Sequence, residues 1–225
     1  MKKFYIGLAL CTSLVYTGCF KGPKEVAPPK QTITSDTLIS GNYWAFAIGD
    51  NHATIYSKVQ DLREEKSINT IFVPNNIFTN LTAIKDKLPL YHTLYLDATQ
   101  ATANGVQLFF ENGKVKNIYT NAGQLLNNWP WTGGADNQII RVENEVSKIY
   151  DKLVNIKEMA GYGGYFEKMS LFYKDVKTDY DADMATSNKW VLSSPVSEKV
   201  FLRVNIKFNS SAVVDSIMVD RVETE

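Results

Sequence analysis

An α+β fold built as two tandem helix-plus-antiparallel-meander units is what this sequence predicts, and three observations predict it. Ile55-Tyr56-Ser57-Lys58 returns 94 positions later as Ile149-Tyr150-Asp151-Lys152, each time inside an amphipathic stretch. Alternating apolar residues follow in both places, Val106, Leu108 and Phe110 in the first and Leu202, Val204, Ile206 and Phe208 in the second. A turn signal then reverses the chain, Asn112-Gly113 in one copy and Asn209-Ser210-Ser211-Ala212 in the other. A helical period followed by a strand period, repeated, marks a repeated supersecondary unit.

The elements follow in order, beginning with a segment that precedes any fold. Lys2 and Lys3 give a positive start, Phe4 to Tyr16 is mostly apolar, and Thr17 and Gly18 stand directly before Cys19. Such a run is too short to span a bilayer and has the layout of a cleaved export signal, assigned to residues 1–18. The run Val15-Tyr16-Thr17-Gly18-Cys19 resembles the lipobox of bacterial lipoproteins, departing from it at Tyr16, where leucine is commonest. The alternative is an ordinary secretory signal with a chance cysteine. The resemblance implies acylation of Cys19 and cleavage after Gly18. Two or more acyl chains give durable anchoring where one does not. No aspartate follows Cys19 and no acidic cluster comes after it, so the resemblance implies an outer-membrane lipoprotein facing the periplasm. Residues 19–37 carry Pro23, Pro28 and Pro29 among lysines and a glutamate, and read as the lipidated end and a flexible tether.

The first unit spans 38–126. An apolar segment, Tyr43 to Ile48, leads through Gly49-Asp50-Asn51 into a helix with Ile55, Val59 and Leu62 on one face, capped by Asp50 or Asn51. A strand near Ile68 to Val73, a second helix near Phe78 to Leu88 and a strand at Leu94 to Asp97 precede the hairpin. Asn-Gly suits that hairpin because both turn residues need positive φ. Residues 127–137 are the junction. In the second unit, 138–225, Ile139 to Val142 leads through Glu143-Asn144, with Asn144 as cap, into a helix on Val146, Ile149, Leu153 and Ile156. Tyr165 to Tyr173 reads as a strand or a helix end, and Trp190 to Ser193 as the strand before the last two.

A helix followed by a three-strand meander, in a lipoprotein, resembles the small domains of the BamE/SmpA type. Doubled, it is similar in layout to beta-lactamase-inhibitory-protein-like domains. The resemblance covers 41–121 and 138–222 and rests on pattern, so it carries over no functional residue. It implies a sheet backed by helices, whose exposed sheet face or loops contact another protein.

Composition removes several function classes. Without 1–18, 207 residues remain, with 22 Lys and Arg against 24 acids, so nucleic acid, which needs a basic face, is not an expected partner. Cys19 is then the sole cysteine, which leaves no internal disulfide and no thiol catalysis in the folded part. His52 and His92 are the only histidines, read as surface or capping residues. Asp179, Asp181 and Asp183 alternate like the opening of a calcium loop, but Met184 and Trp190 stand where glycine and glutamate are required. That segment reads as a solvated acidic connector, with calcium left open. Gly161-Tyr162-Gly163-Gly164-Tyr165 lacks the lysine and strand-to-helix context of a phosphate loop and suits protein recognition or a plain turn. Trp129 and Trp131 flank Pro130 at the junction, either packing the halves together or exposed as contacts. The expectation is a non-enzymatic, cofactor-free protein-binding module of the cell envelope, with no metal site. Trp129, Trp131, Tyr162 and Tyr165 are the candidate contacts with an envelope protein. The alternative is a glycan or small ligand held by aromatic residues between the halves.

Overall fold

The computed structural model describes residues 31–97, 103, 105–131 and 134–224. The leader, Cys19 and the tether before residue 31 lie outside them. Strands dominate: among the described residues eleven form one sheet, every strand pairing is antiparallel, and there are two α-helices, of 11 and 9 residues. The strands are β1 (Gln31–Leu38), β2 (Thr70–Phe72), β3 (Ile77–Phe78), β4 (Tyr91–Asp97), β5 (Val106–Glu111), β6 (Lys114–Thr120), β7 (Leu125–Leu126), β8 (Lys168–Asp175), β9 (Lys189–Pro195), β10 (Val200–Phe208) and β11 (Val214–Thr224). The helices are α1 (His52–Leu62) and α2 (Ile149–Lys157).

The sheet order β1-β11-β10-β9-β2-β8-β4-β5-β6-β7, with β3 beside β8, overturns the expected α+β pair of tandem units. Two meanders exist, β4-β5-β6 and β9-β10-β11, but they do not form separate bodies. β2 precedes the first meander in sequence yet pairs with β9 of the second, Val191 opposite Phe72. β8 precedes the second meander yet pairs with β4 of the first, Leu171 opposite Leu94. The two borrowed strands also pair with each other, Lys174 opposite Ile71. Each meander thus takes its next strand from the other half, which satisfies edges that would otherwise stay open and fuses the halves into one mainly-β sheet.

Local chemistry accounts for the elements. Asn51 caps α1, its side chain accepting from the Thr54 N–H at 2.9 Å, while Asp50 instead binds Lys58 Nζ at 2.5 Å. Asn112 and Gly113 have φ of 52° and 74°, the positive pair a tight hairpin between β5 and β6 requires. Three expectations fail. Asn144 does not cap α2; its Oδ1 accepts the Arg141 N–H at 2.9 Å, and the helix begins at Ile149. The expected helix over 78–88 is two 3-10 turns, Leu81–Ile84 and Leu88–Leu90, since Pro89 lacks the N–H that a continued helix uses. Residues 31–37, read as tether, belong to β1, paired residue for residue with β11 from Gln31–Thr224 to Leu38–Ile217.

The core lies on one face of the sheet. α1 buries Ile55, Tyr56 and Val59, and α2 buries Ile149, Leu153 and Ile156. They share one continuous cluster with Leu94, Leu108, Leu171, Trp190 and Ile206 of the strands. Side chains alternate across a strand, so the residues between these point the other way.

Candidate functional site

The second face of the sheet takes no part in that core. Phe72 on β2, Tyr95 on β4, Phe109 on β5, Tyr119 on β6 and Phe172 on β8 are half-buried and stand outside the core cluster. Their rings form a connected row on β4, β8 and β2 and a separate pair on β5 and β6. Tyr95 meets Phe172 edge-on with centroids 4.8 Å apart, and Phe172 meets Phe72 at 5.5 Å. Phe72 meets Tyr173 at 5.1 Å. Phe109 and Tyr119 pair edge-on at 5.7 Å. Tyr173 interrupts the alternation of β8: its φ of 53° is a left-handed conformation that bulky side chains rarely adopt, and its side chain is 40% exposed. Beyond it, Lys174 turns into the core, wholly buried, and donates to Tyr56 Oη at 3.1 Å and Thr178 Oγ1 at 2.5 Å. Burial lowers its pKa to about 8.

Two hollows open on this face. One, of about 420 Å³, lies over Thr70, Phe72, Val191 and Phe201, with Lys189 and Arg203 on its walls. The Arg203 guanidinium sits 5.9 Å from the centre of the Phe201 ring. The other, of about 530 Å³, is lined by Tyr95, Phe172, Ser170 and Lys168 beside a chain of polar groups. Gln107 Nε2 donates to Asn121 Oδ1 at 3.0 Å, and Asn121 Nδ2 donates to Asp97 Oδ2 at 3.2 Å. Asn121 holds this place because residue 105 is glycine: a Cβ there would lie 2.1 Å from its Nδ2. Burial raises the Tyr95 pKa, with Tyr173 adding to the shift.

The sequence-predicted contacts lie elsewhere. Trp129, Tyr162 and Tyr165 come together in one aromatic cluster, Trp129 meeting Tyr165 at 5.5 Å and Tyr162 at 5.9 Å. The cluster faces inward. Trp129 is wholly buried and belongs to the core, with both tyrosines packed against it. Trp129 therefore packs and does not present a contact surface. Its Nε1 is buried with no hydrogen-bond partner among the described residues. Burial, with Tyr162 and Asp97 beside it, raises the Tyr165 pKa. Trp131 stands apart and is 50% exposed.

The histidines are placed by packing. His52, expected as a surface or capping residue at a helix start, does open α1 but is buried: it stacks on Phe208 at 3.7 Å, and its Nε2 donates to the Ser187 carbonyl at 3.3 Å. Burial lowers its pKa, with backbone hydrogen bonds opposing the shift. His92 is part-exposed at the edge of a hollow of about 720 Å³, with Nδ1 donating to the Phe110 carbonyl and Nε2 at 3.5 Å from Asp175. Among the described residues neither ring bonds a serine or threonine hydroxyl. Asp181, read as solvated, is buried, accepting from Lys87 Nζ at 2.6 Å and from Tyr91 Oη at 2.7 Å. Its charge is thus already matched inside the protein. Among the described residues no group of three or more His, Cys, Asp or Glu is placed to hold a metal ion.

The open-face aromatics escape sequence reasoning because each sits beside a core residue and reads as core. A signal was present. Leu94-Tyr95-Leu96, Leu108-Phe109-Phe110 and Leu171-Phe172-Tyr173 are unbroken apolar or aromatic runs, where an antiparallel strand with one wet face alternates. No protein-family model, no curated protein and no solved structure matches the chain.

Proposed function

We propose that this chain is an envelope-tethered, non-catalytic protein-binding module whose partner docks on the open face of the sheet. The observation that carries the reading is the connected row from Tyr95 through Phe172 and Phe72 to Tyr173 on the side that, among the described residues, no α-helix backs. Scattered exposed apolar residues are normal, but a contiguous patch marks an interaction surface. Aromatic residues with a neighbouring arginine are the types that dominate binding energy at interfaces. The strained backbone at Tyr173 supports the reading, since its aromatic ring is held out on this face at a conformational cost of about 1–3 kcal/mol. Acyl chains on Cys19 hold the module at the membrane.

Co-purification from detergent-solubilised envelopes tests this. Phe72→Ser with Tyr173→Ser loses the partner while keeping the wild-type melting transition; Trp131→Ala keeps the partner. The opposite pattern overturns the open face as the docking surface. Cys19→Ala releases the protein from membranes, and full membrane retention of that variant overturns the anchor.

A carbohydrate ligand is the second reading, favoured by the ordered Gln107-Asn121-Asp97 chain beside the Tyr95 and Phe172 rings. Donors and acceptors beside aromatic faces suit a sugar's hydroxyls and its C–H face. A glycan array separates the two: sugar binding lost in Asn121→Ala, with no protein partner recovered, favours the glycan.

A further inference from the structure

The hollow over Phe72 and Phe201 carries more positive charge than the protein itself matches. Lys189 on β9 lies directly opposite Lys207 on β10. Both are on the open face, since their strand neighbours Trp190 and Ile206 are core. Arg203 lies on the same face, opposite Ser193, four residues from Lys207 and so roughly 13 Å along the strand. Among the described residues none of these three cations takes part in an ion pair. The acids nearest by register are Asp215, at the bulge beside Ser216 opposite Lys207, which forms no ion pair among the described residues, and Asp220, opposite Arg203. The Asp220 carboxylate is committed to Ser35 Oγ at 2.6 Å and Asn205 Nδ2 at 3.1 Å, and Asp220 is buried. Like charges directly opposite on neighbouring strands destabilise a sheet. A local rule broken without an internal compensation points to a compensation from outside.

We infer that this hollow receives an acidic segment of the docked protein, its Asp or Glu side chains settling against Lys189 and Arg203 on its walls and Lys207 beside it, and an apolar side chain covering Phe72 and Phe201. The inference rests on the open-face reading above and names the chemistry of the partner. A carboxylate there relieves the Lys189–Lys207 repulsion, and Arg203, whose planar fork suits carboxylates, sits already stacked near Phe201. The apolar floor supplies the burial that surface ion pairs alone do not.

Fluorescence anisotropy with the full-length protein in detergent micelles provides the test. The probes are a labelled decapeptide of alternating Glu and Leu and its counterpart with Gln in place of Glu. The Glu peptide binds about tenfold or more tighter than the Gln peptide, equivalent to about 1.4 kcal/mol, and the advantage shrinks as salt shortens the screening length. Lys189→Gln, Lys207→Gln and Arg203→Gln together remove it, while Arg203→Lys alone keeps most of it. Equal binding of the two peptides, or an advantage that survives the triple substitution, overturns the inference. So does binding to phosphatidylglycerol vesicles that needs the three cations while the peptide does not, which would make the hollow a lipid-surface site. If the peptide preference is absent yet Phe72→Ser still loses the envelope partner, the acidic chemistry fails and the docking face stands. If both fail, the docking reading falls too.

Discussion

The two faces of one sheet carry aromatic residues put to opposite uses. On the covered face Trp190 is wholly buried, meets His52 at a tilt and Phe208 edge-on, and donates Nε1–H to the Met184 carbonyl at 3.1 Å. Two strands away Phe172 is only half-buried, its ring meeting other rings that also face away from the helices. Composition does not separate the two sides; the pleat and the position of the helices do. Residues of the same type therefore stabilise on one side and stay available for contact on the other.

That contrast can be broken most sharply by deleting one large side chain from each face. Trp190→Ala empties a filled core position and removes one of the two hydrogen bonds to the Met184 carbonyl, which keeps the Ser187 N–H, and denaturant unfolding is expected to show a loss of about 3–5 kcal/mol. Phe72→Ser on the open face leaves unfolding within about 1 kcal/mol of wild type, while partner binding, followed by titration, falls by about 2 kcal/mol or more. Equal stability losses on both faces would mean that the open face is structural.

How far the sequence reveals this contrast depends on range. Asn51 and Asn112-Gly113 are legible because a cap and a tight turn are decided within four residues. The alternation in Leu202, Val204, Ile206 and Phe208 gives β10 for the same reason: the period is local. The exchange of β2 and β8 is not legible, since strand pairing is chosen among partners far apart in sequence. Ile71 and Leu171 carry no mark of which meander they will join. Aromatic residues that cluster in sequence, Trp129, Trp131, Tyr162 and Tyr165, point to a different site. The first, third and fourth of these do meet, but against the core. The open-face residues come from five strands and become neighbours only in the assembled sheet.

The covered face also predicts a pH response on the acid side of neutrality. Burial holds the His52 pKa below its ordinary 6.5. The unfolded chain thus binds a proton more readily than the folded one. The associated stability is complete above about pH 6.5 and is lost as pH falls from there toward the lowered folded value. A single proton sets the slope at no more than about 1.4 kcal/mol per pH unit. Melting curves between about pH 7.5 and 5.5 show the fall, and His52→Phe flattens it. An unchanged slope in that variant assigns the response to other groups.

The smallest effect sharpens the comparison from the open side. Lys189→Glu places opposite charges across from each other and is expected to stabilise the sheet by about 0.2–1 kcal/mol in denaturant titration, while weakening capture of an acidic partner. Destabilisation by that substitution would show that Lys189 is matched within the protein.

Site-specific photo-crosslinking in intact cells tests the docking face most directly. A photoreactive residue is placed at position 173 on the open face, at 154 on the exposed side of α2, or at 131 on the junction. Adducts with one envelope protein from position 173, and none from 154 or 131, are the predicted result. Adducts from 154 or 131 with position 173 silent would contradict the account.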